Sequence, residues 1–76
     1  MDTFIEQLTN IEQEFFAEVN EHDLTADFDS YTISIHNGYL VMRIECFDKD
    51  DDAVVITQEI EQHNGELLAL GTQYEY

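Results

Sequence analysis

The chain contains no proline, one cysteine, three glycines, and two basic residues among 76. A lone cysteine, Cys46, forms no disulfide within the chain, so the fold rests on its core. With no proline there is no proline-rich linker, and no repeat or composition shift divides the sequence. The glycines are scattered and form no phosphate-cradling loop. No apolar run approaches the roughly 18 residues that span a bilayer, and the N-terminus lacks the basic and apolar regions of a signal peptide. These absences point to one small soluble intracellular domain, residues 1–76, near the size at which folding becomes marginal.

What the chain has in excess is negative charge. Eighteen Asp and Glu face one lysine and one arginine, giving a formal net charge of -16. Two cations neutralise two acids at most, so most carboxylates must meet water or a partner. Self-repulsion on this scale opposes compaction, and a net charge of roughly 2–8 already keeps a small domain soluble. At 43% hydrophobic residues the chain is nonetheless too apolar to stay disordered. An acidic surface of the kind general in salt-loving organisms is one reading. A strongly basic partner is the sharper one.

Asn37-Gly38 supplies the first fold signal. Both central positions of a type I′ turn need positive φ, which Asn-Gly adopts at little steric cost. Alternation runs in through Tyr31, Ile33 and Ile35 and out through Leu40, Met42 and Ile44. Pairing His36 with Tyr39 places Ile35 opposite Leu40, Ile33 opposite Met42 and Tyr31 opposite Ile44. Turn chemistry and burial pattern therefore agree on register. Cys46 falls on the same core-facing side, which reads as a packed thiol.

Residues 3–20 read as an amphipathic helix. Thr3 and Glu6 form a capping-box pair. Phe4, Ile5, Leu8, Ile11, Phe15, Phe16 and Val19 share one arc at helical spacing. Glu12 falls inside that arc and either overhangs the sheet edge or meets Arg43. Residues 21–29 read as an acidic connection in which Leu24 and Phe28 plug the end of the core. Strands are expected at about 30–36, 39–47, 53–61 and 66–75. In the third, Val54, Ile56 and Ile60 face the core, and Gln58 shares their side where the helix leaves the sheet uncovered. At the second hairpin a three-residue loop with Gly65 in a bulge would turn Leu68, Leu70 and Tyr74 toward the core. The open face would then carry Val41, Val55, Leu67 and Ala69. The expected fold class is α+β: one helix on one face of a four-stranded antiparallel meander, αββββ.

No cofactor or catalytic group is expected. His22, His36 and His63 lie in connections or at turn edges, away from any serine or cysteine they could activate. Asp48, Asp50, Asp52 and Glu59 reproduce positions 1, 3, 5 and 12 of an EF-hand calcium loop, a resemblance over twelve residues. Ala53 stands where that loop needs glycine, and the flanks read as strands.

The carboxylates as a set carry the main functional expectation. Glu14, Glu18 and Glu21 lie at i, i+4 and i+7 on one helical face, about 5–6 Å apart in steps. Asp23, Asp27 and Asp29 extend that row, and Asp48, Asp50, Asp51 and Asp52 form a second cluster. Duplex backbones carry roughly one charge per 1.7 Å, so carboxylate rows can occupy a groove evolved for phosphates. In size, charge and helix-plus-sheet make-up the chain resembles the small acidic DNA-mimic inhibitors of phages and mobile elements, including anti-restriction and anti-CRISPR proteins. That resemblance implies a non-catalytic inhibitor in the bacterial cytoplasm. It would act as a monomer or homodimer on a basic nucleic-acid-binding protein, a nuclease or CRISPR effector subunit, without contacting nucleic acid or membrane itself. An immunity or antitoxin protein covering a basic toxin would use the same charge, and a calcium-binding module is the third alternative.

Overall fold

The computed structural model describes residues 3–76. A single helix, α1 (Phe4–Glu21), precedes four strands, β1 (Thr25–His36), β2 (Tyr39–Phe47), β3 (Ala53–His63) and β4 (Glu66–Glu75). The strands form one antiparallel sheet in the order β1-β2-β3-β4 with the helix against one face, the αββββ arrangement read from the sequence. The molecule is elongated, 43 × 24 × 20 Å.

Thr3 caps the helix: its Oγ1 accepts the Glu6 N–H at 3.2 Å, satisfying one of the amides that the first turn leaves unpaired. Of the apolar arc, Phe15 and Val19 are buried, and Leu8, Ile11 and Phe16 pack half-buried at the rim. Phe4 and Ile5 extend past the sheet and stay exposed. Met42, Ile44, Cys46, Val54, Ile56 and Ile60 supply the sheet's half of the core, all fully buried. Burial, ahead of the neighbouring Glu45 charge, pushes the Cys46 thiol above its ordinary pKa, so it is a packing group.

The first hairpin has the register that Asn37-Gly38 dictates, with His36↔Tyr39, Ile35↔Leu40 and Ile33↔Met42. Asn37 and Gly38 sit at φ of 52° and 84°, as a type I′ turn requires. Nearer its start β1 departs from the expectation. It begins at Thr25 and not near residue 30, so the connection shrinks to residues 22–24. The expected pairing of Tyr31 with Ile44 does not form: pairing resumes at Asp27↔Glu45 after a bulge of residues 28–31 opposite Ile44. Side chains close that bulge. Ser30 Oγ donates to the Asp27 carbonyl at 2.6 Å and accepts the Glu45 N–H at 2.9 Å, standing in for a missing ladder bond. Leu24 plugs the core end as expected, but Phe28, carried outward on the bulge, keeps 63% of its surface exposed.

The second hairpin corrects the expected loop. Asn64-Gly65 is a two-residue turn between His63 and Glu66, with no bulge at Gly65. Leu67 is therefore buried, while Leu68 and Leu70 are half-exposed. Strand parity changes later, where Leu70 and Gly71 face Glu59, and this returns Tyr74 to the core side opposite Ile56. Gly71 has φ of 109°, a conformation other residues rarely adopt. Gln58 is buried and not in an uncovered position. Its Nε2 donates to the Gly71 and Glu59 carbonyls at 3.1 and 2.8 Å, paying for a polar group in the core by closing the bulge. The open face thus carries Val41, Val55 and Leu68, in place of the expected Leu67 and Ala69.

Candidate functional site: an acidic end

Antiparallel topology decides where the carboxylates meet. The helix runs opposite to β1, so its C-terminus lies beside the start of β1. The β2–β3 turn and the end of β4 lie at that same end. Glu18, Glu21 and Asp23 arrive on the helix and its exit, Asp27 and Asp29 on the start of β1, and Asp48, Asp50, Asp51 and Asp52 on the β2–β3 turn. Glu14 sits on the helix about 10 Å above Glu21 at 1.5 Å per residue, along the flank of the cluster. Glu45 and Glu75, not singled out from the sequence, close the same end through their pairings with Asp27 and Val55. Lys49 is the one cation of the turn.

The acids differ in what holds them. Asp48 organises its loop: Oδ1 accepts the Asp50 and Asp52 N–H groups at 2.8 and 3.0 Å. Backbone bonds between Asp48 and Asp51 and between Asp48 and Asp52 complete the turn. Asp27 Oδ1 accepts the Asp29 N–H at 3.1 Å, an Asx turn at the mouth of the bulge. Glu18 is half-buried beside Tyr74. Glu14, Glu21, Asp23, Asp29, Asp50, Asp51 and Asp52 are exposed.

Local energetics oppose this arrangement. The last turn of α1 contains no basic residue and carries acids where the helix dipole is itself negative. Asp23 and Asp51 are held at positive φ, 54° and 62°, which costs a non-glycine residue stability. The end is therefore assembled against both charge and backbone preference.

Glu12 proves to be separate from this site. Its Oε2 accepts the Tyr31 hydroxyl at 2.7 Å on the helix side of the sheet, whereas Arg43 pairs with Thr32 and Thr57 and projects from the other face. Burial first, and then the Glu12 carboxylate, push the Tyr31 phenol well above its ordinary value. Phe16 packs edge-on against both Tyr31 and Phe28, with centroids 5.0 and 5.4 Å away, so Glu12 is anchored at an aromatic cluster. The pairing is not legible in the sequence, where Tyr31 and Tyr74 both offer a hydroxyl on the core side that Glu12 overlooks.

The EF-hand pattern does not assemble. Glu59 pairs with Val41 inside the sheet, on strand residues that leave the turn. At about 3.3 Å per residue, Glu59 lies roughly 23 Å along the strand from Asp52. Asp48 has already committed an oxygen to its own loop. Among the described residues no three His, Cys, Asp or Glu side chains are grouped so as to hold a metal ion, and no helix is long and apolar enough to cross a membrane. No family model, curated protein or solved structure matches this chain.

Proposed function

We propose that this protein is a non-catalytic inhibitor whose acidic end occupies the basic nucleic-acid-binding surface of a nuclease or CRISPR-type effector subunit. The observation that carries the proposal is the convergence of three chain segments, α1 with its exit, the start of β1, and the β2–β3 turn, into one carboxylate-rich end containing a single lysine. Rows of exposed acids on a rigid sheet offer a basic groove what a phosphate backbone offers it. They release the same counterions and exclude the true ligand. Proteins that bind this way associate fast and lose affinity steeply as salt rises.

Binding to a purified nuclease or effector at several salt concentrations, with and without pre-bound DNA, tests the proposal. Affinity should fall at least tenfold between about 0.05 and 0.2 M salt, and pre-bound DNA should block the complex. Asp50→Asn, Asp51→Asn and Asp52→Asn combined should weaken binding tenfold or more without loss of fold. Unchanged affinity in that triple variant and in a Glu14→Gln, Glu21→Gln, Asp23→Asn variant would overturn the proposal.

A further inference from the structure

The two edges of the sheet are finished differently. On β4 the side chain of Gln7 reaches down from the helix: its Nε2 donates to the Gly65 carbonyl at 3.1 Å and its Oε1 accepts the Leu67 N–H at 2.8 Å. A glutamine amide thus fills the place a neighbouring strand would take, and the bulge at Leu70 and Gly71 breaks the remainder of that edge. The first half of β1 is interrupted in the same manner by the bulge at residues 28–31. Both are ordinary ways of making an edge unattractive to other strands.

The second half of β1, Thr32–His36, has no such device. It pairs regularly with β2 and, among the described residues, has no neighbouring strand on its outer side. Around a two-residue type I′ turn the flanking residues, His36 and Tyr39, exchange both hydrogen bonds. His36, Ser34 and Thr32 therefore bond inward, and Ile33 and Ile35 direct their N–H and C=O groups outward. The side chains of Ile33 and Ile35 are 40% and 76% exposed, because the helix meets β1 lower down, at Tyr31 and Phe28. No charged side chain occurs from Ser30 through Met42, the longest such stretch in a chain of net charge -16.

We infer that this edge pairs with the same edge of a second copy, joining two sheets into one of eight strands. A two-fold axis at Ser34 sets the regular segment Thr32–His36 antiparallel to itself. Ile33 then lies opposite Ile35 of the second copy, Thr32 opposite His36, and Ser34 opposite Ser34. A register centred nearer the start of β1 would draw the residue 28–31 bulge into the pairing, and one centred nearer His36 would draw in the Asn37-Gly38 turn. Charge selects the occupant. A basic partner finds no carboxylate here, whereas two copies meet through their longest uncharged stretch. Antiparallel pairing also sends their acidic ends to opposite extremities of the dimer, where repulsion between them is least.

Sedimentation equilibrium on the full chain tests the inference. The expected mass is twice 8.9 kDa. The association should strengthen as salt rises from about 0.15 to 0.5 M and screens the two like-charged copies. Ile35→Lys, at a position open to solvent, should weaken it at least tenfold while the circular dichroism stays unchanged. Oxidised Ser34→Cys should become a reducible covalent dimer, since facing non-hydrogen-bonded pairs hold Cα atoms about 4.5 Å apart, within disulfide range. Thr32→Cys, facing His36, should not cross-link. A single-chain mass at both salt concentrations up to about 100 µM would overturn the inference, as would a dimer that survives Ile35→Lys or equal cross-linking of the two cysteine variants. The outcome is independent of target binding, which moves in the opposite direction with salt.

Discussion

Tyr31 and Glu12 form a hydrogen-bonded side-chain pair that ties the middle of the helix to β1, and the pair sets a pH limit on the fold. The folded phenol is raised well above its ordinary value of 10.0, chiefly by burial and then by the carboxylate it bonds. Tyr74 is raised in the same direction. Burial is the main cause, and the Glu18 charge adds to it against an opposing contribution from Thr72. Its hydroxyl is buried without a well-formed hydrogen bond. A phenol whose pKa is higher folded than unfolded contributes stability that is complete below the unfolded value. That contribution drains away as pH rises through the interval between the two. The melting temperature should therefore fall above about pH 10, with phenolate absorbance from Tyr31 appearing together with unfolding. Tyr31→Phe should lower stability at neutral pH by about 1–2 kcal/mol, because half-buried Glu12 loses its donor, yet flatten the alkaline decline. A variant that declines as steeply as the parent would show that the Tyr31 phenol does not set the limit.

Among the elements, the β2–β3 turn separates structural from available acids most sharply. Asp48→Ala removes the acceptor for two N–H groups and should cost about 1–2 kcal/mol in urea denaturation. Asp48→Asn retains an acceptor oxygen and should cost less. Neutralising Asp50 leaves the loop bonds in place and should not destabilise. Equal losses at Asp48 and Asp50 would mean that the loop is not held by its first residue. The same contrast marks how far the chain can be read in advance. The first hairpin is legible because Asn37-Gly38 and the alternation around it impose one register independently. The second hairpin misleads because a run of Leu67, Leu68 and Leu70 fits either parity. What resolves it is Gly71, a strand glycine whose positive φ permits a bulge three-dimensional packing requires. The bulge in β1 is hidden likewise, since Asp27, Asp29 and Ser30 read as loop residues while their side chains replace ladder bonds. Each acidic cluster is visible as composition, but their meeting at one end follows only from the topology. Nor does alternation reveal that the helix crosses the sheet obliquely, from Gly65 and Leu67 at the start of β4 to Tyr31 on β1, and so leaves Ile33 and Ile35, core-facing by parity, uncovered.

At the scale of the whole molecule, the net charge of -16 is spread unevenly over a body 43 Å long. Three segments bring carboxylates to one end, where the helix dipole adds to the same sign. Folding brings these groups closer than they are in an extended chain, so their mutual repulsion is greater in the native state and subtracts from its stability. Screening shortens the reach of each charge, from about 10 Å at 0.1 M ionic strength to about 3 Å at 1 M. Added monovalent salt should therefore raise the melting temperature, most of all below about 0.2 M. Replacing Asp50, Asp51 and Asp52 by Asn together should raise the melting temperature at low salt and leave it nearly unchanged at 1 M, because the benefit is electrostatic. Calorimetry across that salt series distinguishes this from an internally compensated surface, for which the melting temperature would fall as salt is added. The acids that are costliest to the fold are those proposed to face a basic partner, so a variant stabilised at low salt should also be the one that binds its target least.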